Sequence, residues 1–258
     1  MDFDTEKQEP DISLVMPCYN EEESIAQTAP ELVEVFTQGK VNLELILVNN
    51  GSRDRTGAII DTLIDRGLPV VKVTVKVNQG YGYGILCGLE RCQGRLVGYL
   101  CADGQVEAQD VYRVYQLARA QVGPCLVKVR RRFRADSLVR KVISCCYNVL
   151  INLLFRGLHS WDVNGSPKIF PRELLQPLAL GSQDWFLDPE LMIKIKLLDL
   201  PVKEINVIGR LRRGGKSQVR PVTCVEFLRS LYEYRFCGAL DNWRQEQSSR
   251  PRKALAWR

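Results

Sequence analysis

Three observations predict an α/β fold, a mostly parallel central sheet flanked by helices in a single domain. Apolar runs of strand length alternate with segments of helical length, and each run stops on a turn rich in Gly, Asn or Asp. The chain, 258 residues and 45% hydrophobic, is also long enough to bury one large core. Strands joined through helices take right-handed crossovers, and such sheets bind ligands outside the carboxyl ends of their strands. The four leading strand ends carry PCYNE, NNGSRD, NQGYGYG and CADGQ, so all four are expected to face one crevice.

After a polar arm, residues 1–11, Ile12 to Met16 (ISLVM) reads as a buried strand ended by Pro17. Asn20, with Glu23 three residues on, reads as the cap of a following helix. Leu43 to Val48 (LELILV) is a second strand stopping at NNGS, and TGAIIDTLIDRG supplies a helix that Gly67 can terminate. Val70 to Val77 forms a third strand, running into NQGYGYG and a helix through GILCGLERCQG. RLVGYLC forms the fourth. The second half is less regular. It holds a basic stretch KVRRRFR (128–134), an apolar segment VISCCYNVLINLLF (142–155), a turn around Asp162 to Lys168 and a helix near Asp188 to Asp199. VKEINVI, the loop GRLRRGGKSQ and a helix from about Val222 follow. The expected boundaries are the arm 1–11, a domain over 12–220, and a C-terminal helix with a basic tail over 221–258, mobile from Gln245 onward.

Thirty-six Lys and Arg against thirty Asp and Glu give a net charge of +6, which suits a phosphate-rich ligand or an anionic membrane surface. Nine cysteines form an odd set without C-x-x-C spacing, and the start is too polar for a signal peptide. Reduced thiols in a cytoplasmic chain fit this pattern. The single histidine, His159, excludes a His-rich metal site and reads as a loop or interface residue. The longest apolar run, Val142 to Phe155, has fourteen residues where spanning hydrocarbon takes about twenty, so no membrane span is expected. KVRRRFR and the tail offer cations, yet no nucleic-acid recognition module accompanies them, and no nucleic-acid partner is expected.

Two glycine motifs fall short of nucleotide fingerprints. GYGYG follows the third strand rather than the first, so it reads as a tight turn in which backbone approaches backbone or a ligand. In GRLRRGGKS, five residues rather than four separate Gly209 from Gly215, and the P-loop reading fails. What remains is a glycine hinge carrying Arg210, Arg212, Arg213 and Lys216: a diphosphate clamp if it folds over the crevice, a solvated basic loop if it does not. At the end of the fourth strand, Asp103 and the Gln105 amide offer hard oxygen donors suited to Mg²⁺ or Mn²⁺, whereas Cys101 is a soft donor poorly matched to either ion. Without a ligand, Asp103 reads as a polar turn residue.

Together these motifs resemble the inverting family-2 glycosyltransferases of the GT-A nucleotide-diphospho-sugar transferase fold, in particular the polyprenyl-phosphate sugar synthases typified by dolichyl-phosphate mannose synthase. Pro17 to Glu22 matches P-x-Y-N-E-E, and Asn49 to Thr56 matches D-D-G-S-x-D-x-T in part. Asn78 to Gly84 with Gly88 resembles N-x-G-x-G-x-A and its following glycine. Cys101 to Gln105 resembles D-A-D-x-Q, and Arg212, Gly215 and Ser217 match R-x-x-G-x-S. The likeness runs from about residue 12 to 220. The chain departs from it where Asn49 and Asn50 replace two aspartates and where Cys101 replaces the first aspartate of the metal strand.

The resemblance implies a donor site of Pro17, Tyr19, Glu21, Asn49, Asn50, Asn78, Gly82, Ala102, Asp103, Arg212 and Ser217. It implies a Mg²⁺ or Mn²⁺ ion on Asp103 and Gln105, and catalysis through Asp103, Arg212 and Lys216. Arg130, Arg140 and Ser144 would receive the acceptor's phosphate. Asp188 and Glu190 would contact sugar hydroxyls or, equally, cap the helix that begins there. The implied reaction moves a sugar from a nucleotide-sugar donor to a polyprenyl phosphate with inversion, at the cytoplasmic face of a membrane, with a membrane subunit as a further possible partner. The apolar segment 142–155, flanked by Arg140, Lys141 and Arg156, would then lie in the bilayer interface; alternatively it is an ordinary core helix. A phosphate oxygen is already anionic near neutral pH, so such an acceptor needs no histidine base. Two other functions stay open: transfer to a hydroxyl of a small molecule or glycan, and a catalytically silent nucleotide-sugar-binding scaffold subunit, suggested by Cys101 and the two asparagines.

Overall fold

A computed structural model describes residues 9–134, 138–155, 157–158, 160–214 and 221–249, with the side chains of 133–134, 138–144 and 221–224 outside that description. Strands β1 (Ile12–Cys18), β2 (Leu43–Asn50), β3 (Val70–Val75) and β4 (Leu96–Tyr99) alternate with helices α1 (Glu22–Gln38), α2 (Thr56–Asp65) and α3 (Tyr81–Leu89). After α4 (Ala108–Arg119) come β5 (Leu126–Arg134), α5 (Leu138–Leu154), β6 (Lys168–Pro171), the short α6 (Leu175–Leu178), α7 (Leu187–Leu197) and β7 (Val202–Gly209). Helices α8 (Pro221–Phe236) and α9 (Ala239–Ser249) close the chain. The strands form one sheet in the order β3-β2-β1-β4-β6-β5-β7. Every pairing is parallel except the two made by β6, which gives the mostly parallel sheet that the alternation predicts.

β1, buried almost throughout, is the middle of the parallel half, and the two faces of the sheet feed two cores. One holds Val15, Ile46, Val48, Ile85 and Tyr99 beneath α3 and α7; the other holds Leu14, Met16, Leu45 and Leu47 beneath α1, α2 and α4. α3 lies close on the sheet because its glycines leave room. A Cβ on Gly88 would meet the Val15 Cγ1 at 2.3 Å, inside any real contact distance.

The structure corrects several expectations. Asn20 does not cap α1: the capping position is Glu21, without a side-chain bond. Asn20 instead takes a left-handed backbone (φ 54°) and accepts the Arg53 N–H at 2.9 Å, a conformation asparagine tolerates. The basic stretch 128–134 belongs to an interior strand, β5, and the turn expected up to Lys168 gives way there to β6. The C-terminal helices are not an appendage. Leu231, Tyr234, Leu240 and Trp243 are buried in the core, and α9 continues to Ser249. Gln247 donates to the Pro177 carbonyl at 2.8 Å, so the helix stays in contact with the core beyond Gln245. Residues 1–8 of the polar arm, His159 and the tail 250–258 lie outside the described residues. Among the described residues no helix is long and apolar enough to cross a membrane.

Candidate active site

The carboxyl ends of β1 and β2 are stitched into one rim by side chains that bond across it. Ser52 bridges the Asn20 N–H (3.2 Å) and the Cys18 carbonyl (3.2 Å), and Thr56 accepts the Glu21 N–H at 2.8 Å. Asp54 accepts the Glu22 N–H at 3.1 Å, and Asn49 closes its own turn by accepting the Ser52 N–H at 3.1 Å. Asn50, buried, donates its amide to the Gly80 carbonyl at 2.9 Å, which leaves its Oδ1 without a partner. Asn78 accepts the Gly80 N–H at 2.8 Å and lies against the turn at Gly51. Pro17 and Tyr19 are half-buried on this rim. The first three strand tips therefore do converge, as their motifs predict.

Beside them lies the end of β4. Asp103 is 8% exposed; one carboxylate oxygen accepts the Gln105 N–H at 3.1 Å, and the other stands 3.8 Å from an Arg212 nitrogen. The same guanidinium is ion-paired with Glu21, which is also 8% exposed. Burial pushes the Glu21 carboxyl above the usual range, while the Ser24 hydroxyl and Arg212 pull it back down. The basic loop that delivers Arg212 is pinned along the β4 turn. The Arg210 N–H donates to the Gln105 carbonyl (3.0 Å) and the Arg213 N–H to the Asp103 carbonyl (3.1 Å). Arg213 reaches Glu31 at 2.6 Å, and Arg210 pairs with Glu107. Gly104 makes the close approach possible: its φ of +69° favours glycine, and a Cβ there would lie 2.6 Å from the Arg213 side chain. Over residues 210–214 the loop thus lies along the strand tips, with Arg212 and Arg213 turned in to the carboxylates and Arg210 and Leu211 exposed.

Cys101 faces another way. Its sulfur lies 3.9 Å from the Tyr81 hydroxyl and 3.6 Å from the Ser166 hydroxyl, and burial, with Asp103 adding to it, pushes the thiol up to about 11. A thiol is a soft donor, poorly matched to a hard ion. Tyr81 in turn stacks on Trp185, with centroids 4.4 Å apart and an interplanar angle of 14°.

Other expected site residues have different surroundings. Asp188, 3% exposed, accepts the Tyr99 hydroxyl at 2.9 Å and pairs with the fully buried Lys168. Glu190, equally buried, takes Lys194 at 2.6 Å and the Ser182 N–H at 2.8 Å. Both are paired with protein partners in this structure. Neither caps α7, whose capping residue is Phe186. A Cβ on Gly82 would meet the Ser182 carbonyl at 2.3 Å, so this glycine lets α3 pack against the 182–184 backbone. Ala102 is buried, with its carbonyl 3.2 Å from the Thr28 hydroxyl of α1. Arg130 is half-buried on β5, and Arg140 and Ser144 fall on α5 with side chains outside the description. Lys216 and Ser217 lie outside the described residues.

The sequence reading missed a chain of buried ion pairs beneath the pocket. Arg131 grips Asp162 through two nitrogens (2.9 and 2.8 Å). Lys128, fully buried, donates to the Asp162 carbonyl (2.7 Å) and to Glu204 (3.0 Å). Burial lowers Lys128 to about 8 against the pull of Asp162 and Glu204. Burial alone would raise Asp162, yet Arg131 holds its carboxyl well below the usual range. The available signal was a lysine inside each of two apolar strands, LVKV and KIF, since a buried cation requires a buried partner.

With this geometry in place, comparison with known proteins decides the family. The sequence pattern described as "Glycosyl transferase family 2" matches residues 13–176. The chain belongs to that family. An undecaprenyl-phosphate 4-deoxy-4-formamido-L-arabinose transferase of Pseudomonas fluorescens is 33% identical over 141 residues, 54% of this chain and 41% of that protein. The chain thus spans about two fifths of the length of that relative. A dolichyl-phosphate beta-glucosyltransferase of Trichomonas vaginalis is 25% identical over 248 residues, 87% of this chain and 74% of the relative. Among solved structures, glucosyl-3-phosphoglycerate synthase from Mycobacterium tuberculosis, in complex with Mn²⁺, UDP and glucosyl-3-phosphoglycerate, matches with a TM-score of 0.68. Its identity is 22%, over 88% of this chain and 80% of the other. This likeness establishes the GT-A-type architecture.

Proposed function

We propose that this family-2 chain transfers a sugar from a nucleotide-sugar donor to a polyprenyl phosphate with inversion at the anomeric carbon. The observation that carries the reading is the meeting of Glu21, Asp103 and Arg212 at the tips of β1 and β4, closed over by the basic loop. The named activities of the undecaprenyl- and dolichyl-phosphate relatives support the acceptor class.

In this reading the nucleoside lies against Pro17, Tyr19, Asn49, Asn50 and Asn78. The unpartnered Asn50 Oδ1 would take an N–H or O–H from base or ribose. The donor set at β4 fits a hard divalent ion, Mg²⁺ or Mn²⁺. Asp103 and the Gln105 amide are oxygen donors, the soft thiol is turned away, and a cationic guanidinium already bridges Asp103 to a second carboxylate. When bound, the ion would neutralise charge on the donor diphosphate. Arg212 supplies the chain's own positive charge there, and Lys216, four residues on in the sequence, would add to it. An acceptor phosphate oxygen, oriented by Arg130, Arg140 and Ser144, attacks the anomeric carbon as its bond to the diphosphate breaks. The leaving group carries off the electron pair, and no general base is required. Asp188 and Glu190 act from below, by fixing Lys168 and the 181–182 turn.

The acceptor's hydrocarbon would meet an apolar surface formed by α5 and α8. Val149 and Leu153 on α5, and Val225, Leu228, Tyr232 and Phe236 on α8, are exposed, and the Tyr147 and Phe227 rings join the two helices at 4.7 Å. Such a surface supports peripheral contact with a membrane; in this reading the chain works at the cytoplasmic face, with a membrane subunit as a candidate partner.

Incubation with radiolabelled nucleotide sugars, a short polyprenyl phosphate and Mn²⁺ is expected to yield an organic-soluble labelled product. Label confined to the aqueous phase as a new glycoside would favour a hydroxyl acceptor. Nucleotide binding without turnover of any donor would favour the scaffold role.

A further inference from the structure

We infer that Glu21, together with Asp103, forms the cation site of this chain, and that Arg212 occupies that site in the absence of ligand as a built-in substitute for the divalent ion. The inference rests on the donor reading above and goes beyond it by assigning Glu21 to the ion and a displaceable state to Arg212.

The thiol of Cys101 removes one hard ligand from the β4 turn and faces Tyr81 and Ser166 instead. The next carboxylate brought to the same place comes from a different strand. Glu21 follows the β1 tip, and its carboxylate shares a single guanidinium with that of Asp103. One cation within reach of two largely buried carboxylates is the electrostatic arrangement a divalent ion would also satisfy, with hard oxygens on two sides. The second Glu21 oxygen accepts the Ser24 hydroxyl at 2.7 Å, and the second Asp103 oxygen accepts the Gln105 N–H. Each carboxylate is therefore held by one oxygen while the other is presented to the cation. Among the described residues, the other charged groups on these turns are Arg210 and Arg213, paired with Glu107 and Glu31, Glu23 against Gly214, and Glu22, which holds Arg55 while its N–H donates to Asp54.

Two cations cannot share this pair without repulsion, so an arriving ion must displace Arg212. Over the described residues the loop is pinned by the backbone of Arg210 and Arg213 and by their own side-chain pairs, while the bond of the Arg212 guanidinium to the Gly214 carbonyl (2.7 Å) lies within the loop, so swinging the Arg212 head off the carboxylates leaves the loop's anchors in place. Release frees the guanidinium for a bidentate contact with the anion the ion brings in. Arg212 thereby acts as a positioning residue that keeps the carboxylate pair neutralised until a cation and a diphosphate arrive together.

The test is Mn²⁺ binding to the full chain without nucleotide, followed by electron paramagnetic resonance. Arg212→Gln is expected to bind Mn²⁺ on the order of tenfold more tightly than the unaltered chain, because it removes the competing charge. Arg212→Lys, which keeps that charge, should stay close to the unaltered chain, and Glu21→Gln added to Arg212→Gln should abolish the gain. Circular dichroism melts verify that each variant folds. An Arg212→Gln chain with unchanged or weaker Mn²⁺ affinity would overturn the exchange, and a gain that survives Glu21→Gln would overturn the assignment of Glu21. These titrations are decided without any nucleotide, so they stand apart from the donor reading. That reading fails separately if neither UDP nor GDP binds in calorimetry with Mn²⁺ present.

Discussion

Cys101 stands where the family resemblance expects a carboxylate, and its neighbours show why a thiol is stable there. Below it, each buried cation already has its own anion: Arg131 with Asp162, Lys168 with Asp188, Lys128 with Glu204. A carboxylate at position 101 would add a negative charge beside Asp103 and Asp188 with no cation left to match it. Cys101→Asp is therefore expected to lower stability by about 1–3 kcal/mol without metal, with part of the loss recovered by Mn²⁺ in thermal melts. An unchanged melting temperature in both conditions would show that the pocket tolerates the charge.

The Arg131 and Asp162 pair gives a second prediction at the same scale. Burial raises Asp162, but Arg131 more than reverses it, so its folded value is depressed and it binds its proton less readily folded than unfolded. Its stabilising contribution is then complete above the ordinary carboxylate value of about 4 and is lost as pH falls through the depressed folded value. Asp162→Asn should flatten that acid limb in pH-dependent melts. It should also cost about 3–5 kcal/mol at neutral pH by leaving Arg131 buried and unpaired.

At the level of elements, the parallel half was legible because local pattern and tertiary role agree. Strands β1, β2 and β4 are short apolar runs buried on both faces, β3 is the half-exposed edge strand, and the strand ends are marked by turn residues that the structure uses as turns. The glycines of α3 were visible as a motif, but their purpose was not. Gly88 exists to let a helix backbone approach Val15 and Val48. Gly88→Ala should cost about 1–3 kcal/mol in chemical denaturation, since the side chains it meets are branched and held in the sheet; a neutral effect would mean that α3 can shift outward. β5 escaped notice for the opposite reason. Its sequence, LVKVRRRFR, reads as surface charge, yet Lys128 and Arg131 turn inward to partners 31 to 76 residues distant.

Across the whole molecule, exposed apolar side chains of two helices lie together. Leu153 on α5 and Tyr232 on α8 belong to the exposed apolar stripes of helices whose aromatic rings touch. On the proposed membrane-facing reading, the double change Leu153→Glu with Tyr232→Glu should reduce flotation with anionic vesicles by about tenfold or more. Soluble Mn²⁺ binding at the strand tips should be unaltered. Retained flotation would move the lipid contact elsewhere. The same helices also close the fold, because Trp243 of α9 is buried and donates to the Pro177 carbonyl at 3.1 Å. α8 and α9 therefore support the core as well as offering a surface.

By itself the sequence determined the α/β class, the first four strands and the turn residues at their tips, and it left open whether the basic loop folds over them. These follow from local periodicity and turn chemistry, which act over a few residues. Only the tertiary structure decided which charges are buried and with whom. It committed Asp188 and Glu190 to lysines, turned Cys101 from the carboxylates, and brought Glu21 to Asp103 through Arg212, 191 residues along the chain. The physical reason is that an ion pair is specified by distance in space and by the loss of water around it, and neither quantity is encoded in the spacing of residues along the chain.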